Sequence, residues 1–343
     1  MSDKKLRWGV ISTANIGRWA VNPAIQASGN GDLLAVASRD AKTAREFARQ
    51  WNIPGAYGSY AELLDDEDID AVYIPLPNSM HCEWTIKAAE AGKHVLCEKP
   101  LALTGDECHE MQNAARKNGV KLMEAFMYRF HPRIRRVLEM LRQGVVGDLK
   151  MIHAAFTFRL SSSNNIRWQP EFGGGALMDV GCYCINVSRT MVGAEPEEVQ
   201  AFASWASTGV DEMMTGSLRF PGDILASFEC GLNTKRRESC EIGGTEACLR
   251  IPDAFLPGTD DVVIEELRDG EEPVIHSIPG VDEYQCMVEH FADCVLHDRQ
   301  PRYPADEAAR NMRVIEALYE SVRNGGRPVA VRSQSTARSE GKG

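Results

Sequence analysis

The chain has 343 residues, 43% hydrophobic and 25% charged, and a formal net charge of -11. That length exceeds one ordinary core and points to two domains of a soluble globular protein. The negative charge argues against nucleic acid or an anionic membrane as the main partner.

The start, Met1-Ser2-Asp3-Lys4-Lys5, lacks the apolar region of a signal peptide. No run approaches the roughly 18 apolar residues of a membrane span, so a cytoplasmic protein is expected. The ten cysteines form no CxxC pair and are read as reduced, mostly buried thiols. The eight histidines show no HExxH spacing, so no protein metal site is expected.

Leu6 to Ile11 reads as a short buried strand, followed by a helix to about Ala27. Between them, Ser12-Thr13-Ala14-Asn15-Ile16-Gly17 occupies the place of a G-x-G-x-x-G fingerprint with only its third glycine. Ser12 and Ala14 are small enough for a pyrophosphate to approach the backbone at the helix start. Ser12, Thr13, Ala14, Asn15 and Ile16 are therefore candidate cofactor contacts.

Leu33 to Ser38 is a second strand, and Asp40 caps a helix from Ala41 to Gln50. Ser59-x-x-Glu62 opens another helix. Ala71 to Pro75 is the next strand, and the helix beginning at Asn78-Ser79 stops at Gly92. Val95 to Cys97 is a strand that ends abruptly in Glu98-Lys99-Pro100, ahead of a Thr104-x-x-Glu107 capping box. Glu98 and Lys99 should thus sit at the carboxyl end of a strand, the ligand-binding edge of an open α/β sheet. Val120 to Phe126 is read as the sixth strand. This β-α alternation predicts a doubly wound parallel sheet.

At the end of the second strand an NAD site usually places an acid for the ribose hydroxyls. Ser38-Arg39 stands there instead, with Lys42 one helical turn on. Arginine and serine suit a 2′-phosphate, which favours NADP.

The domain change is placed at residue 125, with residues 126–331 forming an α+β domain and residues 332–343 a polar, disordered tail. Strand-like segments 149–158, 198–206, 213–220, 224–232, 237–243, 247–251 and 262–267 are joined mainly by turns, which predicts a large, mostly antiparallel sheet. Helices 282–297 and 306–324 close the domain. One further helix follows Gly173-Gly174-Gly175 and carries Asp179 and Tyr183 four residues apart, on one face at helical spacing.

Glu98-Lys99-Pro100, the run Leu76 to His81, the run Met123 to Pro132 and the run Gly173 to Tyr183 together resemble the Gfo/Idh/MocA oxidoreductases. The resemblance extends over about residues 6 to 330. It implies a Rossmann domain plus an open-faced sheet that pairs subunits into dimers or tetramers. It also implies hydride transfer between a nicotinamide and a carbon of a sugar or other cyclic polyol. Lys99, Asp179 and Tyr183 match the catalytic positions, although many members carry histidine at the position of Tyr183. Leu76, Asn78, His81 and Glu98 fall at the cofactor edge, Arg167-Trp168 before the glycines, and Tyr284 at a cofactor position by family analogy.

On this reading Tyr183 is the acid/base, Lys99 lowers its pKa and Asp179 orients Lys99 or a sugar hydroxyl. Tyr128, Arg129 and His131 fall at the domain junction, within reach of substrate or in packing roles. Exchangeable NADP and a sugar substrate are expected. The alternatives are an aromatic dihydrodiol, a ketosugar, a glucose–fructose-type reaction, or a non-catalytic dinucleotide sensor.

Overall fold

The computed structural model describes residues 4–332. Of the tail expected over residues 332–343, residues 333–343 lie outside the described residues.

The first sheet holds β1 (Leu6–Ile11), β2 (Gly31–Ala37), β3 (Gly55–Tyr57), β4 (Ala71–Ile74), β5 (His94–Cys97) and β6 (Leu122–Glu124). They run in the order β3-β2-β1-β4-β5-β6, all parallel. This is the dinucleotide-binding order, in which ligands sit beyond the carboxyl ends of the strands. Val72, Tyr73, Val95 and Leu96 are fully buried, as a sheet covered by helices on both faces requires. Sequence reading missed β3, whose three half-buried residues carry no strand signal beyond Tyr57.

The helix starts follow the expected capping. Asp40 accepts from the Thr43 N–H at 2.7 Å, and Thr104 from the Glu107 N–H at 3.1 Å. Two helices depart from regular geometry. Gly17–Val21 and Leu177–Gly181 are π-helical turns, in which Asn22 N–H donates to Gly17 O and Cys182 N–H to Leu177 O. Such turns recur at functional sites, and these two lie behind the cofactor turn and around Asp179.

The second sheet comprises β7 (Leu149–Arg159), β8 (Glu198–Trp205), β9 (Asp211–Phe220), β10 (Ile224–Gly231), β11 (Asn233–Gly244), β12 (Cys248–Pro252), β13 (Val262–Leu267), β14 (Val274–Ile278) and β15 (Val329–Ala330). Its nine strands run β14-β13-β12-β11-β7-β10-β9-β8-β15. The β7–β10 pair is parallel and the other pairs are antiparallel. β14 and β15, unread in the sequence, are edge strands and lack a buried stripe.

One face of this sheet packs on the helix Cys182–Val192, placing Phe156, Phe228 and Ile242 in the core. The other face is open. Register puts Met151 opposite Leu225, Gly231 opposite Met213 and Thr215 opposite Phe202. Met151, Leu225, Met213 and Phe202 therefore share that face, and all are exposed.

The closing helices Glu283–Leu296 and Ala305–Arg323 pack back onto the first half of the chain, against Asn22–Ala27 and Gly105–Lys117 respectively. The two halves therefore share a continuous apolar core. All ten cysteines are free, most of them buried. No described helix is long and apolar enough to cross a membrane.

Candidate active site

A cleft with a volume of about 660 Å³ lies between the carboxyl edge of the parallel sheet and the second sheet. Ala14, Asn15 and Ile16 line one end; Glu98, Lys99, Asp179, Tyr183 and Tyr284 line it further in. The sequence residues from the two halves thus meet in one place.

The turn after β1 is built by Ser12, which adopts φ +127°, a region that costs a side-chain-bearing residue about 1–3 kcal/mol. Its hydroxyl offsets this strain by accepting from the Ala14 N–H at 3.2 Å and donating to Pro75 O at 3.3 Å. The chain then enters a helix at Asn15, and Ala14, Asn15 and Ile16 at its start line the cleft, where a helix N-terminus favours an anion. Arg39, exposed at the end of neighbouring β2, makes no ion pair or hydrogen bond among the described residues. A phosphate-accepting turn, a free guanidinium beside it and a cleft leading to Lys99 fit a dinucleotide phosphorylated on its ribose.

Lys99 and Asp179 are both largely buried, each side chain 13% exposed. Lys99 Nζ donates to Asp179 O at 2.9 Å and lies 3.5 Å from Asp179 Oδ1. Arg167 Nε donates to Asp179 Oδ2 at 2.6 Å. Burial pushes the Asp179 carboxyl up, but Arg167 and then Lys99 outweigh it and hold its pKa below the usual range. Asp179 thus contacts Lys99 and also takes Arg167, a partner the sequence did not reveal.

The helix carrying these groups is pinned at its start. Asp211, buried on β9, accepts from Leu177 N–H at 2.6 Å and from the Tyr319 hydroxyl at 2.8 Å. Gly175, at φ +120°, makes room for it: a Cβ there would stand 2.2 Å from Asp211 Oδ1. Part of the glycine run thus serves close approach of protein to protein.

Tyr183 requires a correction. Its hydroxyl faces Met127 Sδ at 3.4 Å, while Lys99 Nζ sits 4.9 Å from the ring centroid, over the ring. Burial raises the phenol well above its ordinary pKa, reinforced by Tyr284, Glu98, Cys182 and Asp179. The expectation that Lys99 lowers it is overturned. The resting phenol therefore keeps its proton.

Glu98 and Asn78 line the cleft and brace it. Glu98 accepts from the Tyr73 hydroxyl at 2.5 Å and from Lys99 N–H at 3.3 Å, and burial raises its pKa. Asn78 Nδ2 donates to Gly173 O at 2.8 Å. Leu76 also lines the cleft.

His81 is not a cofactor contact. It is fully buried, with its ring nitrogens 3.0 Å from Pro100 O and 2.8 Å from Leu76 O, so it is a strut between two cleft loops. Trp168 packs on the apolar core and is not on the cleft wall, although neighbouring Arg167 is. Ser12, Thr13, Ser38, Arg39 and Lys42 also lie off that wall. Ser12 builds the turn, and Lys42 lies 3.9 Å from Glu46 on its own helix.

Tyr128, Arg129 and His131 are buried in packing roles. They contact Asn186, Glu307 and the N–H of Arg133 respectively.

The sequence reading missed Phe156, Phe158, Asn164, Asn165, Arg236 and Leu256, which form the second sheet's wall of the cleft. Their only sequence signals are the Asn-Asn pair upstream of Arg167 and the basic triplet around Arg236. Arg236 is held at 2.8 Å by buried Glu238, which also accepts from Phe255 N–H at 2.8 Å.

Residues 6–126 match the oxidoreductase family profile described as an NAD-binding Rossmann fold, and residues 134–250 match the GFO/IDH/MocA C-terminal domain. The chain belongs to the Gfo/Idh/MocA oxidoreductase family.

Within that family the chain is 38% identical to a D-xylose 1-dehydrogenase (NADP(+)) of Haloferax volcanii, over 93% of this chain and 98% of that protein. It is 35% identical to a trans-1,2-dihydrobenzene-1,2-diol dehydrogenase of Mus musculus, over 92% of this chain and 97% of that one. Among solved structures it resembles a 3-ketoreductase of Actinomadura kijaniata in complex with NADP and TDP-benzene, with TM-score 0.88, 31% identity, and 93% and 98% of the two chains covered. An aldose-aldose oxidoreductase of Caulobacter crescentus also superposes with TM-score 0.88, at 27% identity over 95% of this chain and 100% of that one. These Gfo/Idh/MocA likenesses extend across both halves and include the two sides of the cleft.

Proposed function

We propose that this chain is an NADP-dependent dehydrogenase or reductase that moves hydride between the nicotinamide and a hydroxyl-bearing carbon of an aldose or related cyclic polyol. The observation that carries the proposal is the Lys99–Asp179–Arg167 cluster, which joins both halves of the chain beside a buried phenol. The NADP-dependent xylose dehydrogenase and the NADP-bound ketoreductase among its relatives support the cofactor and the sugar class.

Bound NADP supplies the hydride acceptor or donor. The cofactor contacts are the turn from Ser12 to Ile16, Ser38 and Arg39 at the adenosine end, and Leu76, Asn78, Glu98 and Tyr284 along the cleft. In the substrate, the reacting oxygen sits between Lys99 Nζ and the Tyr183 hydroxyl. Lys99 stabilises negative charge on that oxygen. In reduction Tyr183 gives its proton to the forming alkoxide, and in oxidation it takes the proton back. Because burial disfavours phenolate, oxidation gains from rising pH and reduction does not.

An absorbance assay at the NADPH wavelength against aldoses, inositols, ketosugars and dihydrodiols tests this reading. Turnover with an aldose supports it; tight NADP binding with no turnover across the panel overturns it in favour of a sensor. The apolar wall of Phe156, Phe158 and Leu256 favours one second reading, a flat aromatic dihydrodiol, in line with the dihydrodiol dehydrogenase relatives.

The open face bearing Met151, Leu225, Met213 and Phe202 is the proposed contact between two copies of the chain. An exposed apolar sheet face of this kind is otherwise an aggregation liability.

A further inference from the structure

The second sheet's wall of the cleft carries a cation that the proposed reaction does not use. Arg236 belongs to the basic triplet Lys235-Arg236-Arg237 near the start of β11. Successive side chains of a strand point to opposite faces. Arg237 pairs with Glu229 of β10, while Arg236 lines the cleft. The register of β11 against β7 shifts between Asn233 and Arg237, and such irregularities re-aim side chains beside binding sites. The Thr157 hydroxyl donates to Lys235 O at 2.7 Å and fixes the backbone there.

We propose that Arg236 is a specificity-determining residue that binds an anionic group, carboxylate or phosphate, at the end of the sugar away from the reacting carbon, so that the preferred substrate is an acidic sugar. The inference rests on the reading of the cleft as a sugar site.

Arg236 is held in place from behind. The Glu238 side chain is 1% exposed and accepts from Arg236 Nη2 at 2.8 Å, from the Phe255 N–H at 2.8 Å and from the Leu256 N–H. Three donors on one buried carboxylate set where the guanidinium stands. A guanidinium carries five N–H donors in a rigid fork. Nε and Nη1 make no hydrogen bond among the described residues, and the side chain is 54% exposed. Most of the fork is therefore open to an oxyanion, which it can meet through two parallel hydrogen bonds.

The position suits the far end of a substrate. Glu238 lies opposite Phe156, whose ring centroid is 5.3 Å from that of Tyr183. Arg236 is two residues along the strand from Glu238, a step of about 7 Å. A sugar ring with one exocyclic group bridges such a step. Charge points the same way. The cations on the cleft wall are Lys99, Arg167 and Arg236, and the carboxylates are Glu98 and Asp179. Asp179 is shared by Lys99 and Arg167, and Glu98 is held by the Tyr73 hydroxyl and the Lys99 N–H. In a chain of net charge -11, a guanidinium kept on the cleft wall by its own buried carboxylate favours an incoming anion.

The test is calorimetric titration of the NADP-saturated protein with D-glucose, D-glucuronate and D-glucose 6-phosphate, in the unsubstituted chain, Arg236→Gln and Arg236→Lys. At least one anionic sugar should bind about ten- to a hundredfold more tightly than glucose. Arg236→Gln should abolish that advantage, with a loss for glucose of about threefold or less. Arg236→Lys, which keeps the charge without the fork, should fall between. A preference for glucuronate identifies the group as a carboxylate, and one for the 6-phosphate identifies it as a phosphate. Equal binding of all three sugars overturns the proposal, and so does an equal loss for all three in Arg236→Gln. A weakened affinity for NADP in Arg236→Gln also overturns it, by assigning the arginine to the cofactor. Arg236-dependent binding without turnover of any sugar sinks the hydride-transfer reading alone, whereas turnover of neutral sugars without any preference for anionic ones sinks the subsite alone.

Discussion

Asp179 stands between two cations, with Oδ2 2.6 Å from Arg167 Nε and Oδ1 3.5 Å from Lys99 Nζ. One carboxylate balances two positive groups, the buried Lys99 and the partly exposed Arg167, so its removal leaves both without their partner. Asp179→Asn is expected to lower kcat by on the order of a hundredfold, since Lys99, the cation proposed to meet the reacting oxygen, loses its orientation. The affinity for NADP should change little, because the proposed phosphate contacts, from Ser12 to Ile16, are on a different part of the site. Steady-state kinetics alongside fluorescence titration of NADPH checks both; an unchanged kcat rejects the role. The pKa of Asp179 lies below the ordinary range, so its stabilising contribution is present above that range and lost only as pH falls through the lowered value.

Tyr183→Phe separates chemistry from packing. The ring lies 5.1 Å from Phe126 and 5.3 Å from Phe156, contacts that phenylalanine retains. Thermal stability should therefore hold, while kcat in both directions falls by about a hundred- to ten-thousandfold. Calorimetry and initial rates on the same preparation make the comparison. A variant with full activity would reassign the proton to Lys99.

Cofactor choice is predicted to rest on Arg39. Replacing it with alanine removes a charge-assisted contact worth about 1.5–3 kcal/mol, which raises the KM for NADP by about ten- to a hundredfold. The KM for NAD should stay within about twofold, because no 2′-phosphate is present to lose. Equal effects on both cofactors would place the 2′-phosphate elsewhere.

The open sheet face gives a prediction about assembly. Leu225→Lys with Met213→Lys places two charges among residues that share that face, both now exposed. Analytical ultracentrifugation should find the unsubstituted chain as a dimer or larger and the double variant shifted to monomer, because desolvating charge at an apolar interface is costly. A monomer in both cases would refute the contact.

Most of the parallel sheet was legible because buried strands and capping residues are local signals. Asp40, Ser59 and Thr104 announce their helices within four residues. Lys99, Asp179 and Tyr183 were also readable, by resemblance and by the i,i+4 spacing. What escaped was decided by distant packing. The protonated state of Tyr183 comes from aromatic side chains on several elements, and the strut role of His81 from carbonyls on two loops. Arg236 and Phe158 reach the cleft only because β11 lies beside β7.

The π-helical turn Leu177–Gly181 has a consequence for anyone altering this chain's length. A wider turn holds one residue more than a regular one, and each residue of an α-helix turns the chain by about 100°. Deleting one residue there would let the helix relax to regular winding and change the rotation and rise between Asp179 and Tyr183, even if every remaining side chain were kept. Transplanting this site into another scaffold therefore means carrying the turn across whole, as a spacer that sets rotational phase.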